Sequence, residues 1–211
     1  MIWKWLFLFF GCFSACHEKA VKPTAGRINI EAMVYNDPQG DIYNSYLVDI
    51  STLYYLKDEI VEVVKTEDSL RYSYINLKDS VFTTASDLSS LMEKNRLSPL
   101  SQKQFGAMFD LENLPNYQDR ETLPDTSFEG YEYKRIRMVT DSSYNVYYLH
   151  QTDTVLPFSF HRELEEEVGG VLNRVDAYDK TNDRFISLKM RLNDTFPERI
   201  YGFLNQKNED R

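Results

Sequence analysis

The sequence predicts an α+β fold: a curved antiparallel β-sheet, arranged as a half-barrel-like meander, with a few short helices packed on one face. Two observations predict the sheet. Aromatic residues, which favour the half-buried surface of a strand, are abundant, with 15 Tyr and 13 Phe among 211 residues. Short runs that alternate apolar and polar side chains also follow one another, separated by brief polar spacers as in β-hairpins. A third observation predicts the helices, because apolar residues recur at helical spacing in only a few stretches.

The first half of the chain is predicted to be a meander. Residues 28–35 alternate apolar and polar side chains, as in a strand with one buried face, and residues 36–40 form a turn cluster. Further strands are predicted at residues 43–56, 60–65, 71–77 and 80–84. Because the spacers between these runs are short and charged, neighbouring strands are expected to pair antiparallel.

Two short amphipathic helices are predicted after this meander. Ser86 and Asp87 are good N-cap residues for the first helix, and Ser101 precedes the second. The apolar residues at helical spacing are Leu88, Leu91 and Met92 in the first helix and Phe105, Met108 and Phe109 in the second. Residues 111–128 contain two prolines and two aspartates, and they are predicted to form a loop.

The second half returns to strand patterns. Strands are predicted at residues 130–138, 144–150, 169–175 and 186–192, with a connection at residues 156–167 that has room for a helical turn. A final helix is predicted from the capping-box pair Thr195 and Glu198. Its apolar stripe is Ile200, Phe203 and Leu204.

The first 26 residues are predicted to lie outside the folded domain. Lys4 precedes an apolar run at residues 5–13, which is about half the ~20 residues that cross a bilayer, so it fits a secretory signal. Phe13-Ser14-Ala15-Cys16 resembles the lipobox of bacterial lipoproteins, although that family usually has Leu in the first position. The resemblance implies a signal peptide at residues 1–15, a lipidated cysteine with a flexible tether at residues 16–26, and a single β-rich domain at residues 27–211.

The cysteine count agrees with a lipid anchor. The chain has two cysteines, Cys12 and Cys16, so cleavage before Cys16 would leave a single thiol at the new terminus and no disulfide framework. The resemblance implies that the protein is exported and reaches the bacterial envelope through its N-terminal lipid. In enterobacterial lipoproteins, an aspartate directly after the lipidated cysteine resembles a retention mark for the inner membrane. This chain has His17 at that position, which favours the outer membrane. The alternatives are an ordinary signal peptide, an uncleaved anchor, and lipidation at Cys12.

Charge and motifs exclude several classes of function. A net charge of -9 argues against a nucleic-acid partner. The sequence has no nucleophile motif and indicates no cofactor. A metal site built from His150, His161, Asp153 and Glu163, or a calcium site at Asp176, Asp179 and Asp183, can be imagined, but the spacings match no compact ligand motif. A metal- or Asp/His-dependent hydrolase, including one with a triad of scattered residues, is therefore the least favoured alternative.

The second half also resembles a known family. Gly130-Tyr131-Glu132-Tyr133, Tyr147-Tyr148, Leu156-Pro157 and Gly169-Gly170-Val171-Leu172 carry, in this order, a likeness to the LolA-like half-barrel of envelope lipoproteins and lipid carriers. The same order is similar to the exported GLPGLI family, although the Leu-Pro-Gly of that family's motif is absent. The likeness covers about the last 80 residues. It implies a non-enzymatic envelope protein.

The tyrosine excess indicates where such a protein could bind. Tyrosines on predicted strands either cover the sheet with their rings or form an aromatic surface for a hydrophobic, acyl-type ligand. The candidate ligand-binding residues are Tyr133, Tyr147, Tyr148, Phe158 and Phe160. The alternative is an envelope interaction or scaffold protein, in which a filled core and an exposed aromatic patch serve a protein partner.

Overall fold

A computed structural model describes residues 25–35, 45–66, 68–94, 96–107, 117–152, 154–193 and 195–209. The predicted signal peptide, Cys16, the first tether residues, Asp153, Met108 and Phe109 lie outside the described residues. The strands are β1 (Ala25–Tyr35), β2 (Ser45–Leu56), β3 (Glu59–Lys65), β4 (Leu70–Asn76), β5 (Val81–Ala85), β6 (Ser98–Pro99), β7 (Asp119–Phe128), β8 (Tyr131–Val139), β9 (Ser143–Gln151), β10 (Gly170–Asp179) and β11 (Arg184–Asn193). The helices are α1 (Leu88–Glu93), α2 (Arg162–Val168) and α3 (Glu198–Glu209).

All these strands form one curved, open, antiparallel sheet, and the predicted fold class is confirmed. Its strand order is β6-β5-β4-β3-β2-β1-β11-β10-β9-β8-β7. Two meanders therefore meet in the middle of the sheet, where the first strand pairs with the last. Ile28 of β1 lies opposite Leu192 of β11, and Tyr35 lies opposite Phe185.

The two faces of the sheet carry separate apolar clusters. Consecutive residues of a strand point to opposite faces, and Ile60 and Val61 of β3 are both fully buried, one in each cluster. We call the face of Ile60 the α2 face, because Leu164 of α2 packs in its cluster. The opposite face is the α3 face, where Phe203 of α3 packs on Tyr74 with ring centroids 5.6 Å apart.

The prediction that the helices pack on one face is wrong in this detail. The α2 helix covers one face, whereas α1 and α3 belong to the apolar cluster of the other. The physical reason is that β2 to β4 are apolar on both sides, so each face of this half of the sheet needs its own cover.

Local predictions meet mixed outcomes. The predicted N-cap of the first helix is confirmed, because the Asp87 side chain accepts a hydrogen bond from the Ser90 amide at 2.8 Å. The predicted loop at residues 111–128 is wrong over its second part, which is strand β7. The predicted second helix is absent from the described residues 101–107, where the chain forms only a short 3-10 turn. The predicted capping box is wrong too: the Thr195 hydroxyl donates to Asn193, and the α3 helix begins at Glu198.

A buried ion pair fastens the segment after this turn to the α2 face. The Lys103 ammonium lies 2.6 Å from Oε2 of Glu62, and the two side chains are 3% and 0% exposed. Lys103 also donates to the carbonyl oxygen of Ala107 at 2.7 Å, and the Ala107 amide donates to Glu62. Gly106 between them has a φ of +75° and passes so close to Glu62 that a Cβ would lie 2.1 Å from Oε1, so this turn requires glycine.

Candidate functional site

The five predicted ligand-binding residues do not lie together. Tyr147, Phe158 and Phe160 belong to the buried cluster of the α2 face. Tyr148 follows Tyr147 in β9 and points to the opposite face, where its neighbour is Phe128 at 5.7 Å between ring centroids. Tyr133 stacks on the same Phe128 at 4.0 Å. A ligand bound on one face therefore cannot contact all five residues.

On the α2 face the predicted aromatic residues fill the core. The ring of Phe158 meets that of Tyr55 edge-on at 5.8 Å between centroids, and that of Phe160 at 5.4 Å. Both phenylalanines and Tyr147 are buried, and Leu164 of α2 is fully buried beside them. The centre of this face is therefore packed with side chains, and space for a ligand lies at its rim.

A cavity of about 450 Å³ occupies this rim, between the segment after β9 and the α2 helix. We call it the loop cavity. Its lining residues are Thr152, Thr154, Val155, Leu156, Pro157, Phe158, Ser159, Arg162, Glu165, Glu166, Gly169, Gly170 and Val171. Apolar side chains come from the loop and from β10, whereas α2 contributes charged groups. The arrangement can hold a hydrocarbon group against the loop with polar groups at the helix.

Glu165 fixes the walls of the loop cavity. Its carboxylate accepts hydrogen bonds from the Ser159 hydroxyl in the loop and from the Leu172 amide of β10, the latter at 3.0 Å. One side chain of α2 thus ties the loop, the helix and the sheet together. The helix ends at Gly169, whose φ of +67° is the left-handed conformation that glycine adopts without strain.

The histidines and aspartates that were considered as metal ligands or catalytic groups do not lie together. The His150 ring lies 5.0 Å from that of Tyr131, whereas His161 lies 5.0 Å from Tyr147 in the core. Asp176 is paired with Arg174 at 2.7 Å, and Asp179 and Asp183 accept hydrogen bonds within their turn. Among the described residues, no group of three or more His, Cys, Asp or Glu is placed to hold a metal ion.

His161 is an unusual group in this core. It is 2% exposed, and neither ring nitrogen has a hydrogen-bond partner among the described residues. Burial lowers the pKa of His161, and the Arg120 charge adds to this effect, while the carboxylate of Glu163 opposes it. The neighbouring Tyr147 hydroxyl pairs with the Tyr117 hydroxyl at 2.9 Å, and burial raises the pKa of Tyr147.

Because burial disfavours the protonated form of His161, the free energy of unfolding is expected to depend on pH. The folded protein holds this imidazole neutral, whereas the unfolded chain binds a proton below about pH 6.5. The free energy of unfolding is therefore expected to fall as the pH decreases from about 7.5 to 5.5. Urea unfolding of the His161→Phe variant, measured across this pH range, should show a smaller fall than that of the wild type. An unchanged pH dependence in His161→Phe would contradict this assignment.

A second aromatic cluster, which was not predicted from the sequence, lies on the α3 face. Phe128 stacks on Tyr133 with an angle of 8° between the rings, and the Arg174 guanidinium lies 5.0 Å from the ring centre of Tyr148 and 5.5 Å from that of Phe128. Burial raises the pKa of both Tyr133 and Tyr148. Phe128 was missed because β7 was predicted to be a loop. Arg174 could have been found from its place in the predicted strand at residues 169–175.

No helix in the described part of the chain combines the length and apolar character that a bilayer crossing requires. No protein-family model matches the chain, and no curated protein matches it.

Solved structures show distant likenesses. The structure of PNGF-II has a TM-score of 0.39 and 8% identity, and the match covers 86% of this chain and 30% of that one, so this chain spans less than a third of PNGF-II. A LolA superfamily protein from Nitrosomonas europaea has a TM-score of 0.32 and 11% identity, over 87% of this chain and 92% of that one. MucB in complex with MucA(peri) has a TM-score of 0.30 and 10% identity, and the match covers 82% of this chain and 52% of that one. Similarities this distant carry no conclusion about function.

Proposed function

We propose that this chain is a lipid-anchored envelope protein, without catalysis of its own, that binds a hydrophobic, acyl-type ligand in the loop cavity. The lipid at Cys16 holds the protein on a membrane, and the curved sheet presents the cavity to the ligand. The protein is exported, and its membrane is the outer membrane of a bacterium.

The loop cavity is the observation that carries the binding proposal. Its volume of about 450 Å³ lies within the range of about 300–1,000 Å³ that is usual for ligand pockets. Leu156, Pro157, Phe158 and Val171 supply an apolar wall, and burying a hydrocarbon against them contributes ~0.8 kcal/mol per methylene group. Of the predicted ligand-binding residues, Phe158 lines the cavity directly, and Phe160 and Tyr147 support it from the core.

The anchor is supported by the sequence and by the physics of acyl chains. Phe13-Ser14-Ala15-Cys16 supplies the lipobox, which lies outside the described residues. One acyl chain gives only marginal membrane binding, but two or more hold a protein stably. A lipid anchor of this kind suits a chain with a net charge of -9, because anionic lipids repel such a protein.

Lipids that co-purify with a soluble form of the protein test the ligand. A form that begins at residue 17 keeps every described strand and helix. We expect mass spectrometry to find an acyl lipid above the background of a control purification. The Val155→Trp variant should lower this lipid at least severalfold, because Val155 lines the cavity and is 45% exposed, so a larger side chain enters the cavity without disturbing the core.

The matched control for this experiment is Leu192→Trp. Leu192 is 43% exposed on β11 and does not line the loop cavity, so this variant should retain the wild-type amount of lipid. Absence of lipid from the wild-type protein would remove the ligand proposal. Equal losses in the two variants would show that the lipid adheres elsewhere.

An envelope interaction protein is the second candidate function. The packed centre of the α2 face favours it, and so does the aromatic cluster on the α3 face, where Tyr133 is buried but Phe128 and Tyr148 are partly exposed. Tyr131, at the edge of that cluster, is 55% exposed.

A further inference from the structure

The loop cavity lies at the end of the sheet where the chain enters the domain. β1 begins at this end, and Arg27 near its start lies opposite Asn193, the last residue of β11. Because neighbouring strands are antiparallel, β10 begins and β9 ends at the same end, with Gly170 opposite Gln151. The loop cavity is lined by Gly170 and by the segment that follows β9. We call this end of the sheet the tether end, because the residues from Cys16 onward lead into it.

We propose that the tether end lies against the leaflet that holds the lipid anchor, and that the loop cavity takes up a zwitterionic phospholipid from that leaflet. This orientation rests on the proposed function, since it requires both the anchor at Cys16 and an acyl-type ligand. It specifies in addition which end of the domain meets the membrane, where the ligand comes from and which head group the ligand carries.

The length of the tether restricts the orientation of the domain. The residues between Cys16 and β1 reach about 30 Å at full extension, and every other conformation is shorter. β1 has 11 residues and spans about 35 Å. A domain that stands with the opposite end of β1 on the leaflet would therefore need a fully stretched tether, which costs conformational entropy. The anchor thus favours orientations in which the tether end is closest to the membrane.

Large apolar side chains are exposed on the strands around the loop cavity. Leu192 is the last but one residue of β11, Val155 lines the cavity, and Tyr131 is the first residue of β8. All three belong to the exposed large hydrophobic residues of the described chain. Tyr131 also meets the ring of His150, near the end of β9, at 5.0 Å between centroids. Exposed apolar residues beside a cavity are typical of a membrane or ligand interaction site.

The strands β8 to β11 are polar at their opposite end. The turn between β8 and β9 contains Asp141 and Ser142, and residues 180–183, between β10 and β11, are Lys, Thr, Asn and Asp. All of these residues are exposed. At the tether end, the charged residue in the turn between β7 and β8, Glu129, is paired with Lys189 at 3.2 Å. Transfer from water to lipid is favourable for apolar side chains and costly for charged ones, so a bilayer is expected to contact the tether end.

The polar side of the loop cavity matches a zwitterionic head group. Arg162 and Glu166 lie one turn apart on α2, so they share one side of this helix, and both line the cavity. Both are exposed, and neither forms an ion pair with another described residue. The Arg162 guanidinium can therefore bind a phosphate, and the Glu166 carboxylate can attract the cationic amine that follows the phosphate in phosphatidylcholine or phosphatidylethanolamine. The other carboxylate of the cavity, Glu165, is already engaged by the loop and by β10.

Tryptophan fluorescence tests the orientation. The two tryptophans of the chain, Trp3 and Trp5, precede the proposed cleavage site, so an introduced tryptophan would be the only one in the mature protein. The full lipidated protein is prepared as Leu192→Trp and as Leu70→Trp, and each is reconstituted into vesicles of phosphatidylcholine with brominated acyl chains. Bromine quenches a tryptophan that enters the acyl region. We expect quenching to be severalfold stronger in Leu192→Trp than in Leu70→Trp.

Leu70 provides the matched control for this measurement. It is as exposed as Leu192, and it lies opposite Lys65, the last residue of β3, at the end of the sheet away from the tether. Val155→Trp is a second reporter at the tether end and should be quenched like Leu192→Trp. Quenching that is equal at the two ends, or stronger in Leu70→Trp, would overturn the orientation. Wild-type protein that does not float with the vesicles would contradict the anchor itself, so the two failures are distinguishable.

The choice of lipid tests the head group. The form that begins at residue 17 is incubated with vesicles of equal parts phosphatidylcholine and phosphatidylglycerol, separated from them, and analysed for bound lipid by mass spectrometry. We expect phosphatidylcholine to exceed phosphatidylglycerol severalfold. Glu166→Lys should reverse this preference, because the cavity then presents two cations to the head group. Glu167→Lys makes the same charge change outside the cavity lining and should keep the preference.

Two outcomes of the lipid experiment would count against the head group or the ligand. Equal uptake of the two phospholipids by the wild type, or the same preference in Glu166→Lys and in the wild type, would overturn the zwitterionic assignment. Absence of both phospholipids from the wild type would remove the ligand of the loop cavity, and the uptake proposed here with it. The quenching experiment would then still decide the orientation, because it does not require a bound ligand.

Discussion

Replacing Cys16 with serine is expected to release the protein from membranes. In the proposed maturation, the Cys16 sulfur attacks the diacylglyceryl carbon of a membrane phospholipid; a C–S bond forms, the C–O bond to the phosphate headgroup breaks, and the headgroup leaves with the proton of the thiol. Hydrolysis of the peptide bond before Cys16 then exposes an amino group for a further acyl chain. A hydroxyl cannot replace the thiol in that first step, so Cys16→Ser should carry no acyl chains and keep its signal segment. The effect is large because each buried methylene contributes ~0.8 kcal/mol and all chains are lost together.

Fractionation and intact mass measure this effect. The wild-type protein should sediment with membranes and resist extraction by carbonate, with a mass that corresponds to residues 16–211 plus lipid. Cys12→Ser is the matched control and should behave as the wild type, because the proposed cleavage before Cys16 would remove Cys12. Membrane association and mass unchanged in Cys16→Ser would contradict the anchor. Loss of lipid in Cys12→Ser instead would move the site to Cys12.

The strands were predictable because their pattern is local. Alternation in β1 and β11 follows from one buried face, and the burial of Ile28 and Ile30 agrees with it. The pairing of these two strands was not predictable, because it joins the first and last strands of the chain and no short-range signal specifies it. Strand β7 was wrongly predicted to be a loop because it lacks a local signal. It is mostly exposed and contains Pro124, so neither hydrophobic alternation nor composition indicates a strand.

The candidate site was predictable only in part. Tyr147 and Tyr148 are consecutive, so a strand assignment alone separates them onto two faces. The loop cavity depends on how residues 152–159 pack against α2, and this packing is set by Glu165, which the sequence placed only in a connection between two strands. Composition identified the aromatic residues as important, but it could not show which face each one occupies.

Replacing Lys103 with methionine is expected to lower the free energy of unfolding by about 3–5 kcal/mol. The substitution leaves the Glu62 carboxylate at 0% exposure without its cation, and it removes the donor to the Ala107 carbonyl. An uncompensated buried charge is far more costly than the pair itself, because the pair's mutual attraction offsets its desolvation. A loss of this size lowers the melting temperature of a chain of this length by roughly 10 °C.

A double-mutant cycle separates the ion pair from the packing around it. Glu62→Leu is expected to be about as damaging as Lys103→Met, since it leaves a buried ammonium. The double variant should be less destabilised than the two single variants added together, because no buried charge remains and only backbone groups lose their partners. Urea denaturation of the wild type and of all three variants gives these free energies. The comparison requires that the slope of unfolding free energy against urea concentration be the same in all four proteins.

An exposed ion pair provides the control that makes this result specific. Lys134 and Asp125 form a pair at 2.5 Å with side chains 41% and 55% exposed, and Lys134→Met should cost less than about 1 kcal/mol. The contrast follows from burial alone, since both pairs join a lysine to a carboxylate. Strictly additive single variants, or a Lys103→Met loss no greater than that of Lys134→Met, would show that the Glu62 carboxylate does not depend on Lys103. The segment at residues 103–107 would then be held by its backbone hydrogen bonds and by the apolar contact of Ala107.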